Sequence, residues 1–115
     1  MNKIDEMLVS LNGLADSLGL EKLAFDGAQS WIESKEFGVE ASVVNQIRFE
    51  FLSHKLCFKT TQFDHLYIET RLEVIYRDDY IGHYNLTSLL DGEPADDMLV
   101  ITDDDFKNRP IAGFS

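Results

Sequence analysis

The sequence predicts an α+β fold in which an N-terminal amphipathic helix packs on a curved antiparallel β-sheet meander. The first segment of the chain carries apolar residues at three- and four-residue steps, which is the helical period. Later segments alternate apolar and polar residues between short turns, the pattern of antiparallel strands with one face on a core. A length of 115 residues suits one hydrophobic core, so we expect residues 1–115 to form a single domain.

The first helix is predicted over residues 2–18. Asn2 suits its N-cap, and Gly19 suits the left-handed residue that follows its C-terminus. Gly13 lies inside this helix and should cost about 1 kcal/mol relative to alanine, so we expect the helix to depend on docking. The predicted apolar face consists of Ile4, Met7, Leu8, Leu11, Leu14, Ala15 and Leu18.

Strands are predicted for most of the remaining chain. Leu23 and Phe25 alternate before Asp26-Gly27, a dipeptide typical of tight turns, so a short hairpin is expected over residues 23–32. A strand pattern runs from 39 to 58, and the clearest alternation lies in 66–76. Turns are predicted at 77–79 and 91–94, with return strands over 80–90 and 98–101. The end of the chain, 103–115, contains Pro110 and Gly113 and is a poor helix.

The net charge restricts the classes of partner. Twenty-one acidic and ten basic residues give a formal charge of −11, which repels phosphate backbones and anionic lipid. We therefore expect neither nucleic acid nor a membrane surface as a direct partner. Cys57 is the one cysteine, so no internal disulfide is possible. The N-terminus lacks signal-peptide features and no apolar run approaches the ~18 residues of a membrane span, which predicts a cytoplasmic protein.

Acidic residues are concentrated between positions 78 and 106, where the sequence has no Lys or Arg. The acids are Asp78, Asp79, Asp91, Glu93, Asp96, Asp97, Asp103, Asp104 and Asp105. Most fall in predicted turns and strand ends, so they could converge on one edge of the sheet and steer a basic partner. Tyr80, His83 and Tyr84 lie in the same region and could anchor that interface. These twelve residues form the predicted partner-binding set, and the alternative is that acidic turns only keep sheet edges soluble.

Catalytic and metal-binding patterns are weak. His54 and Cys57 are three residues apart, but one cysteine with scattered histidines matches no zinc spacing. The acids at 96–97 and 103–105 lack the spacing of a calcium-binding loop. Phosphate-binding, nucleophile-elbow and metalloprotease motifs are missing from the sequence. We therefore predict a binding protein without catalytic residues, cofactor or metal.

Three stretches, 71–76, 81–86 and 90–101, look like the strand-turn-strand ending of small uncharacterised bacterial proteins. Together with the small size, the acidity and the charged meander, they resemble the immunity proteins of contact-dependent growth inhibition and related polymorphic toxin systems. That resemblance implies a monomer or weak homodimer that neutralises a cognate basic toxin domain, often a nuclease, by covering its active site or a neighbouring surface. It implies no role for any individual residue.

Two alternatives stay open from the sequence. Residues 11–43 are similar to the opening helix and first hairpin of acidic type III secretion chaperones, which dimerise and wrap an extended effector segment. Those chaperones usually end in an amphipathic helix, from which 103–115 departs. A small-ligand-binding or enzymatic α+β domain would need polar groups in a pocket, for which His65, His83 and Tyr84 are candidates.

Overall fold

Two N-terminal helices pack against one face of an open four-stranded antiparallel sheet, which confirms the predicted α+β class. The computed structural model describes residues 2–58 and 66–107. The sheet order is β1-β2-β3-β4, so each strand pairs with its neighbour in sequence and β1 and β4 form the two edges. The elements are α1 (Lys3–Leu18), α2 (Leu20–Glu33), α3 (Ala41–Val44), β1 (Ile47–Phe58), β2 (Leu66–Tyr76), β3 (Asp79–Leu89), β4 (Pro94–Ile101) and α4 (Asp104–Lys107).

Helix α1 begins and ends where the sequence predicts. The Asn2 side chain accepts a hydrogen bond of 2.9 Å from the backbone N–H of Asp5, and Gly19 follows the helix with a φ of 65°. Its predicted docking is limited, since Ala15 is its one buried residue and Ile4 is 68% exposed. The helix therefore packs through its C-terminal half.

Helix α2 replaces the hairpin predicted over 23–32, and that prediction is wrong. Leu20, Ala24, Ala28 and Ile32 follow one another at four-residue steps, and all four are buried. Two of them are alanines, whose small side chains give a weak apolar signal beside the alternating Leu23 and Phe25. The change also removes the first hairpin on which the resemblance to secretion chaperones depended.

The strand predicted from residue 39 begins later than expected. Residues 41–44 form the short helix α3, which buries Val43 and Val44, and β1 starts at Ile47. The turn predicted at 77–79 is confirmed, with φ values of 50° at Arg77 and 70° at Asp78. Two consecutive positive φ values are those of a type I′ turn, which matches the twist of a two-residue hairpin.

The last strand is longer than the sequence predicts. A turn follows β3, with a φ of 93° at Gly92, and β4 starts at Pro94 instead of residue 98. After β4 the described chain ends with α4, a single helical turn; residues 108–115 of the predicted poor helix lie outside the described residues.

The core lies between α2 and the inner face of the sheet. Leu72 of β2 pairs with Tyr84 of β3, which pairs with Leu99 of β4, and the first two are completely buried. At the β2–β3 turn end, Phe106 of α4 packs on Tyr76 with 5.3 Å between ring centroids. The alternate residues of β2 that face this core are Ile68, Thr70, Leu72, Val74 and Tyr76, which is consistent with the alternation predicted for 66–76. Within the described residues no helix has both the length and the apolar character needed to cross a membrane.

Candidate functional site

One group of the predicted acids lies at the β2–β3 turn end of the sheet. The backbone N–H groups of Thr102 and Asp103 both donate to the Ile81 carbonyl, at 2.8 and 3.1 Å, which brings the start of α4 beside β3. As a result Asp79, Asp103 and Asp105 line one cavity of about 160 Å³ together with Tyr76, Ile81 and Phe106. Asp78 lies in the β2–β3 turn and Asp104 in α4. Both are exposed, and both are neighbours in sequence of the acids that line this cavity.

A second group lies at the other end of β3. Asp91 and Glu93 belong to the β3–β4 turn, where the Asp91 carboxylate accepts a hydrogen bond of 2.9 Å from the Glu93 N–H. β3 has 11 residues, so the two groups are about 35 Å apart at ~3.3 Å per residue. Asp96 and Asp97 lie between them on β4, which is an edge strand. The acids therefore lie beside β4 in two groups, at 91–97 and at 103–105, with the acid-free residues 98–102 between them, and they do not meet at one point.

Some of these carboxylates have local structural partners. Asp103 accepts a hydrogen bond of 2.9 Å from the Phe106 N–H and so caps α4. Asp96 accepts one of 2.9 Å from the Asp97 N–H. Asp78 lies 3.1 Å from Arg48 in an exposed ion pair, which offsets part of its charge. The partners of Asp96 and Asp103 are uncharged backbone N–H groups, which do not cancel the negative charge of these two carboxylates.

The three predicted aromatic anchors do not form a cluster. Tyr80 is 64% exposed, whereas Tyr84 is completely buried on the inner face of the sheet. Tyr84 therefore cannot act as an exposed anchor, which corrects that part of the predicted set. His83 lies on the outer face beside Glu73, its partner on β2. Partial burial lowers the pKa of His83, and the Arg71 charge lowers it further against the opposite effect of Glu73.

Asp97 is the centre of a polar network between α2 and the sheet. Its Oδ2 atom accepts hydrogen bonds from Trp31 Nε1 at 3.0 Å and from the Tyr84 hydroxyl at 2.9 Å. Burial raises the pKa of the Tyr84 hydroxyl, and its hydrogen bond to Asp97 raises it further. Asp97 is thus a half-buried structural carboxylate, and Trp31 is a member of the site that the sequence did not indicate.

Gly27 allows this network to form. A Cβ atom at position 27 would overlap the Tyr84 hydroxyl and would lie 3.1 Å from Tyr84 Cζ. The absence of a side chain thus lets the phenol reach Asp97 beneath the helix. Asp26-Gly27 was interpreted from the sequence as a turn, but the glycine is a helical residue that accommodates a ring from the sheet.

A groove follows the boundary between α2 and β4. It consists of two adjoining cavities of about 460 and 370 Å³, which share Gly27 and Asp97. We call this the α2–β4 groove. The first cavity is lined by Leu23, Gly27, Tyr84, Leu86, Pro94, Ala95, Asp96 and Asp97, and the second by Gly27, Ser30, Trp31, Ser34, Glu36 and Asp97. The lining contains three carboxylates and no Lys or Arg.

The histidine and cysteine side chains lie apart. His54 Nδ1 is 2.9 Å from the Thr70 hydroxyl on the inner face, whereas Cys57 pairs with Tyr67 on the outer face. These two side chains therefore do not form a nucleophile pair. Across residues 2–58 and 66–107, no three His, Cys, Asp or Glu side chains are grouped to hold a metal ion. His65, the other pocket candidate, lies outside the described residues.

The chain matches no protein-family model, no curated protein and no solved structure.

Proposed function

We propose that this protein is a cytoplasmic immunity protein, which binds a basic toxin domain in a 1:1 complex and neutralises it. The observation that supports this most directly is the acidic border of the β4 edge, which consists of the acids at 93–97 near the start of β4 and those at 103–105 at its other end, the last two in α4. No Lys or Arg lies in the sequence between positions 93 and 105. Two groups of acids with no base between them present a surface of one sign of charge, which accelerates encounter with a surface of opposite sign.

The acids that supply this field are the exposed ones. Glu93, Asp96 and Asp104 are exposed, whereas Asp97 is half-buried and bonded to Trp31. We therefore assign the long-range attraction of the partner to the exposed carboxylates. The edge position of β4 adds an exposed strand beside the charges, onto which the partner's backbone could also pair.

Growth protection tests the biological role. An immunity function predicts that the toxin gene lies immediately upstream, so the candidate partner is the toxin domain that this gene encodes. Expression of that domain should arrest growth of a bacterial host, and co-expression of this chain should restore growth. Continued arrest in the presence of a folded, soluble immunity candidate would refute the proposal for that toxin.

Titration calorimetry tests the acidic border. Replacing Glu93 and Asp96 together by Lys should weaken toxin binding at least tenfold at about 50 mM salt, and less at about 300 mM, where screening is stronger. The matched control is a double reversal at the start of α1, Asp5→Lys with Glu6→Lys, at two exposed acids in the first turn of the helix, whose other end carries the Leu18 side chain that lies beside Gly92. Equal weakening by both variants would show that net charge alone governs binding and that the β4 edge has no special part.

A further inference from the structure

We propose that the α2–β4 groove receives an arginine side chain of the basic partner. This inference rests on the proposed function, because it assigns a particular partner residue to a particular cavity beside the acidic border. The groove runs along the β4 edge, so a partner attracted to that edge would meet it directly.

The charge of the groove favours a cation. Asp97 and Glu36 line the cavity nearest to the end of α2, and Glu33 occupies the last turn of that helix. The last turn contains no basic residue, although the C-terminal end of a helix dipole is stabilised by positive charge. Lys35 is the nearest base in sequence, but it is exposed and does not line either cavity. A cation from another molecule would therefore complement an uncompensated negative site.

The shape and chemistry of the groove favour guanidinium over ammonium. Trp31 lines the cavity with a half-buried indole, and a flat guanidinium stacks on an aromatic face while it bonds carboxylates at its edge. Asp97 Oδ2 already accepts two hydrogen bonds, from Trp31 and Tyr84. Within the described residues no donor bonds to Asp97 Oδ1, which leaves that atom for an arginine N–H. The fixed network thus presents a preoriented acceptor next to an aromatic surface.

The sole tryptophan makes this proposal measurable. In a ¹H–¹⁵N spectrum Trp31 gives the single indole resonance, and that N–H is the group bonded to Asp97. An acetylated and amidated peptide Gly-Arg-Gly-Arg-Gly should shift this resonance in a saturable manner. The same peptide with lysine should bind at least threefold more weakly, and the peptide with citrulline should leave the resonance in place.

A charge-neutral variant locates the peptide. Glu36→Gln removes one carboxylate from the groove at an exposed position and should weaken the arginine peptide about threefold, the size expected for a partly exposed ion pair. The control is Glu6→Gln in the first turn of α1, the same substitution at an exposed acid that lies outside both cavity linings and outside the predicted partner-binding set. It removes the same charge and should leave peptide affinity within measurement error.

Several results would overturn the assignment. An indole shift of equal size with the citrulline peptide would show that charge is not recognised, and equal loss in both variants would show general attraction to an acidic protein. Peptide binding that shifts other resonances but not the indole would place the cation elsewhere. If the toxin domain binds and Glu36→Gln leaves its affinity unchanged, the groove assignment fails while the immunity function stands. If the arginine peptide binds as described but no toxin is neutralised, the immunity function fails and the cation site stands.

Discussion

Replacing Gly27 by alanine should destabilise the protein, although glycine-to-alanine changes in helices usually stabilise. The new Cβ would overlap the Tyr84 hydroxyl, which donates to the Asp97 carboxylate under the helix. The higher helix propensity of alanine should by itself raise the free energy of unfolding by about 1 kcal/mol. Overpacking costs about 1–3 kcal/mol, and loss of a hydrogen bond to a charged group costs ~1.5–3 kcal/mol. The balance is a net loss of about 3 kcal/mol in the free energy of unfolding.

Gly13 supplies a matched control for this substitution. It lies inside α1, and a Cβ atom there would have nothing within 4 Å outside its own helix. Gly13→Ala should therefore raise the free energy of unfolding by about 1 kcal/mol. Urea unfolding followed by circular dichroism measures both variants, and we expect their midpoints to move in opposite directions.

A second substitution separates the overlap from other effects. Tyr84→Phe removes the hydroxyl, leaving Cζ as the nearest atom at 3.1 Å, which a small shift of the ring would relieve. In the Tyr84→Phe background, Gly27→Ala should be almost neutral, so a double-mutant cycle should give a coupling of about 3 kcal/mol. Our reasoning is refuted if Gly27→Ala stabilises the protein as Gly13→Ala does, or if the cycle shows no coupling.

Further variants test other parts of the fold. Burial lowers the pKa of His54 below 6.5 in the folded state. The contribution of His54 to stability is therefore present above pH 6.5 and is lost as pH falls through the folded pKa. His54→Gln should reduce the change in urea midpoint between about pH 7 and 5. Asp78→Gly, at a φ of 70°, should raise stability by up to ~1 kcal/mol, and a lower urea midpoint would contradict this. Gly82→Ala would place a Cβ against the Val100 carbonyl and should cost at least ~2 kcal/mol, seen as a lower melting temperature.

The parts of the fold that depend on local pattern were predictable. Asn2 and Gly19 bound α1 as expected, and the alternation in β2 identified its buried face. Helix α2 was missed because Asp26-Gly27 resembles a turn and the alanines at 24 and 28 carry little apolar signal. The four-residue spacing of Leu20, Ala24, Ala28 and Ile32 is in the sequence and would have identified the helix.

The site was predictable only in part. The sequence located the acids, but it could not show that those at 91–93 and 78–79 lie at opposite ends of β3. Nor could it show that Tyr84 and Asp97 turn inward, because that depends on the register of β3 with β4. Trp31 and Asp97 are 66 positions apart, and no local signal connects residues so distant in sequence.

That separation affects how the protein is made. Every strand pairs with its sequence neighbour, so each hairpin can form as soon as its second strand is synthesised. The indole of Trp31 is different, since its acceptor is translated 66 residues later, about 3–13 s at 5–20 residues per second. Until then the groove has only one wall. During synthesis the nascent chain therefore lacks the proposed arginine site until β4 emerges, so the partner can be recognised through that site only after β4 has been made.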